Sequence, residues 1–413
     1  MKPYIKNIHI KDLFHLHGLN ISIRDEKNPH LIITGKNGSG KTVLLNAISN
    51  YLDKIKTDTN FSFMSLEKEV DQRKKWLAEA KNDIEKVKWE EILIKHENKL
   101  NELKGKIDLE FSNIGELIKK YNSGDFILAF YEAARKNEIT EPKNPTKPNL
   151  DKKGNVRDSL ISELLKFLSD LKFQEALARN DGKIEEADLF KQWFENFKKV
   201  LRRIFDDENL ELDFHYQDYT FSIITQGKSF KFTELSDGFR AVLEIVADLI
   251  LKMQPNKAIS TEFNKPGIAL IDEIETHLHL KLQKVILPML TVLFPNIQFI
   301  VTTHSPFVLS SLNNTTAFDL ERQQPIVDLT DYSYQALTEG YFGVTTDSDY
   351  ARQRLNELEK LLQKKDLTDS ERITAIQIFE DYKKIPEANS PELVGAYRHL
   401  IIKYNDKVKL FAI

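Results

Sequence analysis

Two short stretches near the start of the chain, residues 4–10 and 19–24, alternate apolar and polar residues, the period-two signature of half-buried strands. Residues 30–34 (HLIIT) are almost continuously apolar, as in a strand covered on both faces. A glycine-rich segment follows, and from Val43 to Leu52 the apolar residues take helical spacing. Strand, glycine-rich loop and helix together form the opening of a nucleotide-binding α/β domain.

The pattern then changes. Residues 66–106 are rich in Lys, Glu, Leu and Trp and nearly free of Gly and Pro. Their apolar positions, Val70, Trp76, Ile84, Val87, Ile92, Leu93, Ile94 and Leu100, are too irregular for strict heptads, so one or two long charged helices are expected, as an antiparallel pair if two. Even as one straight helix the stretch reaches only about 60 Å, short for a chromosome-scale coiled-coil arm. Residues 141–156, with three prolines and a glycine, read as a loop. Helical spacing returns over 157–179 and 183–206, and strand patterning over 210–233, clearest in HYQDYTFSIIT. After residue 330 the chain is again mostly helical and ends in an apolar KLFAI. The expected organisation is a nucleotide-binding domain begun by residues 1–55, interrupted by a helical insertion at 56–205, completed by 206–330 and followed by a helical region at 331–413.

Composition narrows the chemistry. Of 413 residues, 41% are apolar and 30% charged, which suits a folded domain with a core. The absence of cysteine excludes disulfides, cysteine-based zinc sites and thiol nucleophiles. No apolar run approaches the roughly 20 residues that span a bilayer, and the first residues lack the core of a signal peptide. These features fit a cytoplasmic protein with no membrane partner. A net charge of −4 does not by itself call for nucleic acid.

Residues 35–42 (GKNGSGKT) match GxxxxGK[ST] between a buried strand and a helix. The glycines let the backbone curl so that several N–H groups face one centre, and the helix start adds its own donors. Gly35, Asn37, Gly38, Ser39 and Gly40 are therefore expected to cradle the phosphates of ATP. Lys41 is expected to reach the β- and γ-phosphates, and Thr42 to offer its hydroxyl to Mg²⁺. Residues 267–273 (GIALIDE) form an apolar strand ending in two carboxylates. Asp272 is expected to hold Mg²⁺, and Glu273 to act as the base that polarises the attacking water.

Leu235-Ser236-Asp237-Gly238-Phe239-Arg240 precedes a long apolar helix and resembles the LSGGQ signature of ABC ATPases, about 30 residues before the acidic strand. That resemblance implies that Ser236 and the Gly238 N–H serve a γ-phosphate held by a second subunit. The alternative is an ordinary helix cap, for which Ser is a common choice. Residues 299–306 (FIVTTHSP) form another buried strand, ending at His304, which resembles the switch histidine facing the γ-phosphate or the water. Between them His277 and His279 with Glu273 sketch a zinc-like cluster. That reading is set aside, because the family form of this segment explains the histidines without a metal.

Taken together, GKNGSGKT, ELSDGFR, IALIDEIETHLH and IVTTHSP resemble the overcoming-lysogenization-defect-like and "AAA domain 21" ATPases, of ABC/SMC lineage. Members include ATPase subunits of the Septu, PARIS and retron anti-phage systems. The family often has proline where this chain has Leu280. The motifs cover the first 55 residues and about 205–312, and the Mg²⁺-contacting glutamine of the family is not assignable. Gln72 stands in a helical context that argues against it. Glu339-Gly340 and Asp347-Ser348-Asp349 imitate Toprim metal ligands, but the eight-residue gap is too short for that fold, so a fused nuclease is not expected.

The resemblance implies an α/β P-loop NTPase of ABC/SMC type that hydrolyses ATP with Mg²⁺ as at least a dimer with composite sites. It implies a sensor or scaffold for a separate nuclease of Toprim or HNH type, with a phage trigger protein or DNA as a further partner. A DNA-repair or DNA-clamping ATPase is the alternative. The stretch Phe197-Lys198-Lys199-Val200-Leu201-Arg202-Arg203-Ile204 places four bases beside apolar positions and is expected to contact a partner protein or nucleic-acid phosphates.

Overall fold

The computed structural model describes every residue except 1, 25–28, 58–61, 136–138, 143, 145, 151–155, 255–258, 314, 327–335, 339–348, 386–389 and 410–413. The Toprim-like positions Glu339, Gly340, Asp347 and Ser348 and most of the KLFAI end lie outside the described residues. The chain divides into two compact units, Met1–Tyr332 and Ser333–Ile413.

In chain order the first unit begins with β1 (Ile5–Leu13), β2 (Leu16–Ser22), β3 (Leu31–Thr34) and α1 (Lys41–Thr57). It continues with α2 (Ser62–Ala78), α3 (Asp83–Lys104), β4 (Ile107–Phe111), α4 (Ile114–Asn122) and β5 (Ile127–Tyr131). Next come α5 (Leu164–Asn180), α6 (Ile184–Phe205), β6 (Glu211–His215), β7 (Thr220–Thr225) and β8 (Lys228–Lys231). The remaining elements are α7 (Asp237–Met253), β9 (Gly267–Ile271), α8 (Leu280–Leu293), β10 (Ile297–Thr302), α9 (Pro306–Leu309), β11 (Thr316–Asp319) and β12 (Gln324–Ile326).

Six strands form the central sheet in the order β12-β11-β3-β10-β9-β5, parallel except for β12. The middle strands are apolar and buried along their length, the pattern of a parallel sheet covered on both faces. A second sheet, β2-β1-β4, is antiparallel and alternates in burial. The helix after the glycine-rich loop lies between the two sheets: Leu44, Leu45, Ile48 and Leu52 join one buried cluster with Ile8 and Ile10 of β1 and with Ile33, Leu270 and Ile300 of the central strands. Gln298 ties the layers together, because its amide donates to the Ile5 carbonyl (2.9 Å) and accepts from the Ile5 N–H (2.8 Å). The third sheet, β6-β7-β8, is antiparallel and packs beside α5.

The stretch 56–205 differs from the helical insertion expected from its sequence. It contains β4, which pairs with β1, and β5, which pairs with β9 at the edge of the central sheet. Residues 56–205 therefore contribute two strands of the nucleotide-binding domain itself. The charged stretch is a pair of packed helices, α2 and α3, with Trp76 against Trp89 across the pair. Amphipathic α6 buries Phe190, Trp193, Phe194, Phe197, Leu201 and Ile204.

The second unit is helical: α10 (Asp349–Gln363), α11 (Asp369–Lys383), α12 (Pro391–Lys403) and α13 (Asn405–Val408). Leu358, Leu362, Ile378, Tyr382, Leu393 and Tyr397 form its core. A capping box starts α11: the Thr368 hydroxyl accepts from the Glu371 N–H, and the Glu371 carboxylate accepts from the Thr368 N–H.

Candidate active site

The glycine-rich loop begins where β3 ends. At Gly35 φ is +140°, and a Cβ built there would lie 2.7 Å from the Ser39 hydroxyl, so only glycine permits this curl. The Lys41 ammonium turns back over the loop, donating to the carbonyls of Gly35 (2.8 Å) and Lys36 (3.1 Å). Burial pulls the Lys41 pKa down, opposed by the nearby charges of Glu273, Asp272, Glu275 and Asp319. Asn37, Gly38 and Thr42 are exposed at the rim of the loop, whereas Ser39 and Gly40 are buried.

Asp272 stands just past the end of β9, and both its oxygens are claimed. The Thr42 hydroxyl donates to Oδ2 at 2.8 Å, and the Thr302 hydroxyl at the end of β10 donates to Oδ1 at 2.5 Å. The same Thr302 oxygen accepts from the Glu273 N–H at 2.8 Å. Thr302 thus sets both acidic residues, and Glu273 needs the help: its φ is +43°, a left-handed conformation unusual for a residue with a side chain.

Glu275 is a third carboxylate that the sequence reading did not single out. It accepts from the Thr303 hydroxyl at 2.8 Å and from the His304 N–H at 2.5 Å, and so fixes the backbone that carries His304. Burial raises its pKa, and those hydrogen bonds oppose the rise. Burial, then the Lys41 charge, lowers the pKa of His304, and the charges of Glu273 and Asp272 oppose the fall. Ser305 donates to Gln283 (2.7 Å), and Gln283 donates to the Leu278 carbonyl (2.8 Å), joining the two loops beside the acidic strand. His277 and His279 are both exposed, His277 with φ +66°.

Ser236 occupies the cap position of α7, but its side chain makes no capping hydrogen bond. The hydroxyl is exposed at the helix start, beside exposed Asp237. Gly238 is buried against the 274–280 segment, and a Cβ there would meet the His277 carbonyl at 3.0 Å. The signature helix packs on β5, whereas the glycine-rich loop follows β3. Three strand spacings separate those strands, about 14 Å at the usual sheet spacing.

Gln72 lies on α2, within the helical pair. Sequence reasoning also passed over Phe14 and His15, whose rings touch edge to face over Gly40 in the β1–β2 turn. Phe14 is 63% exposed with φ +59°. In the basic stretch, Lys198 is paired with Glu195 and Glu211, and Arg202 with Glu211, while Phe197, Val200, Leu201 and Ile204 are buried.

Hard oxygen donors converge from Thr42 and Asp272 beside the loop, a set that suits Mg²⁺ completed by substrate phosphates and water. A parallel sheet with a phosphate loop, an acidic strand end, a histidine strand end and a signature helix defines a P-loop NTPase domain of ABC/SMC type. Residues 31–310 match the family described as "AAA domain, putative AbiEii toxin, Type IV TA system" (AAA_21), and the chain belongs to that family. It is similar to "Retron Vc95 probable ATPase" of Vibrio cholerae serotype O1 biovar El Tor, 24% identical over 82% of this chain and 76% of that protein. "Septu protein PtuA" of Bacillus mycoides (strain KBAB4) is 36% identical, but only over 29% of this chain and 16% of its own length. Among solved structures, an SMC head bound to the C-winged helix domain of ScpA aligns at TM-score 0.37 and 14% identity, over 79% of this chain and 95% of that one. No helix among the described residues is long and apolar enough to cross a membrane.

Proposed function

We propose that this chain hydrolyses ATP between two copies of itself, and that it is the sensor or scaffold subunit of an anti-phage system that restrains or releases a separate nuclease. One observation carries the catalytic part: the hydrogen-bonded chain Thr42–Asp272–Thr302–Glu273, which brings a hydroxyl, a carboxylate and a second acidic residue to the mouth of the phosphate loop. Lys41 and the loop N–H groups neutralise the phosphates, and Phe14 offers an aromatic face beside them. Thr42 and Asp272 would hold Mg²⁺, which when bound offsets the negative charge on the β- and γ-phosphates. Glu273 takes the proton of the attacking water, and His304, its backbone held by Glu275, orients the water or the terminal phosphate. The second copy supplies Ser236 and the Gly238 N–H at the start of its signature helix, where the helix dipole favours an anion.

The defence role rests on the similarity to retron and Septu proteins. The pairing of Lys198 and Arg202 with Glu195 and Glu211 weighs against the DNA-clamping alternative, since two of its four bases already have partners. The test is Glu273→Gln. The amide keeps the shape and loses the base, so ATP binding should persist while turnover falls about 10²–10⁴-fold. Size-exclusion chromatography with ATP should then show the two-copy form accumulating. Unchanged turnover would move the base elsewhere. Association with a nuclease encoded beside this gene, measured by co-purification, tests the defence part, and a lone ATPase without such a neighbour would count against it.

A further inference from the structure

Arg135 has no place in the motifs, yet it reaches the acidic turn. It follows β5, whose last residue, Tyr131, is in register with Ile271 of β9 and accepts from the Asp272 N–H at 2.8 Å. Four residues further on, the Arg135 guanidinium donates to the Glu273 carbonyl at 3.4 Å. That carbonyl also accepts from the Thr276 N–H at 2.9 Å. The left-handed Glu273 is therefore gripped on both sides, its N–H by Thr302 and its carbonyl by Thr276 and Arg135.

The surroundings of Arg135 are acidic. Burial lowers its pKa, and Glu244, Glu275 and Asp272 oppose that, Glu244 most strongly. Glu244 is buried on α7, two helical turns after the signature. Among the described residues, the Arg135 Nε is buried and has no hydrogen-bond partner.

We propose that Arg135 is a positioning residue that holds the Glu273 turn in its working geometry and that, following β5 where α7 packs, it ties that turn to the signature helix on which Glu244 lies. The inference rests on the reading of Glu273 as the base. The Tyr131 hydroxyl at the end of β5 donates to Asp248 of α7 at 2.7 Å, so a displacement of α7 on engagement of the signature would reach the segment that carries Arg135. Partners of this outer kind typically affect activity about 10–100-fold.

The experiment measures ATP turnover and binding of a fluorescent ATP analogue for the full chain and for Arg135→Gln, Arg135→Lys, Glu244→Gln and the Arg135→Gln/Glu244→Gln double variant. Arg135→Gln should lower kcat about 10–100-fold with nucleotide affinity unchanged, and Arg135→Lys should recover part of the loss. Glu244→Gln should lower kcat, and the double variant should be no worse than Arg135→Gln, because both act on one step. An unchanged kcat in folded Arg135→Gln, a matching loss of affinity, or a double loss equal to the product of the single losses would overturn the proposal. If Arg135→Gln does not fold, Arg135→Lys and Glu244→Gln decide it, and normal kcat in both refutes it. Glu273→Gln is the control. If it hydrolyses ATP like the wild type, the site reading fails; if it is silent while the Arg135 variants are normal, only the coupling fails.

Discussion

Replacing Thr302 with valine keeps the shape of the side chain and removes one oxygen. That oxygen makes two hydrogen bonds at a fully buried position: it donates to the Asp272 carboxylate at 2.5 Å and accepts from the Glu273 N–H at 2.8 Å. A hydrogen bond to a charged group contributes about 1.5–3 kcal/mol, and a buried N–H left without a partner costs about 1–3 kcal/mol. Thr302→Val should therefore destabilise the first unit by about 2.5–6 kcal/mol, seen as a fall of about 1 M or more in the urea midpoint. Catalysis should suffer separately, since Asp272 loses one anchor and the left-handed Glu273 loses the bond to its N–H. Turnover by the folded fraction should drop about 10–100-fold. Thr302→Ser keeps the oxygen and should behave close to wild type in both assays. If valine and serine at this position give the same midpoint and the same turnover, Thr302 does not set the acidic pair, and the reasoning fails.

Two further outcomes follow from local geometry. Burial depresses the His30 pKa from 6.5 to about 4, and its Nδ1 accepts from the Phe299 N–H at 3.1 Å. The folded chain thus refuses a proton that the unfolded chain takes up, so this stabilisation is complete above pH 6.5 and declines as pH falls toward 4. The decline amounts to about 3 kcal/mol, and urea midpoints at pH 7 and 5 should converge in His30→Gln relative to wild type. Gly35→Ala should abolish nucleotide binding in a calorimetric titration while leaving the circular dichroism spectrum intact, because the new Cβ would collide with the Ser39 hydroxyl at 2.7 Å. Retained affinity in that variant would mean that the loop is not the phosphate cradle.

The parts legible in the sequence are those whose chemistry is local. The phosphate loop, the signature and the two strand ends each lie within eight contiguous residues, and glycine spacing or a terminal carboxylate marks them without reference to the rest of the chain. The parts missed depend on partners far away in sequence. The five residues of β5 (ILAFY) are all buried and show no alternation, so periodicity cannot separate them from a piece of buried helix; only the pairing with β9, some 140 residues on, makes them a strand. Arg135 was hidden for the same reason, since nothing near it in sequence is acidic in the relevant way. Thr302 and Glu275 lie inside the motifs but look like ordinary polar residues until β9 and β10 are set side by side. The basic stretch also depends on a partner that the local sequence does not reveal. Its charges read as a surface for phosphates, yet Glu211, across the turn that leads into β6, accepts both Lys198 and Arg202.

The central claim is that ATP is hydrolysed between the phosphate loop of one copy and the signature helix of another. Lys41→Ala and Ser236→Arg should each be inactive alone, because every site in a pure population then carries a defect. Mixed in equal amounts, half of the dimers pair the two variants, and one of their two sites joins an intact Lys41 to an intact Ser236. ATP turnover of the mixture should therefore recover to about a quarter of the wild-type value, as two-fold symmetry requires. If the mixture stays as inactive as its components while chromatography shows that mixed dimers have formed, both residues do not serve one site across the interface, and the account is contradicted.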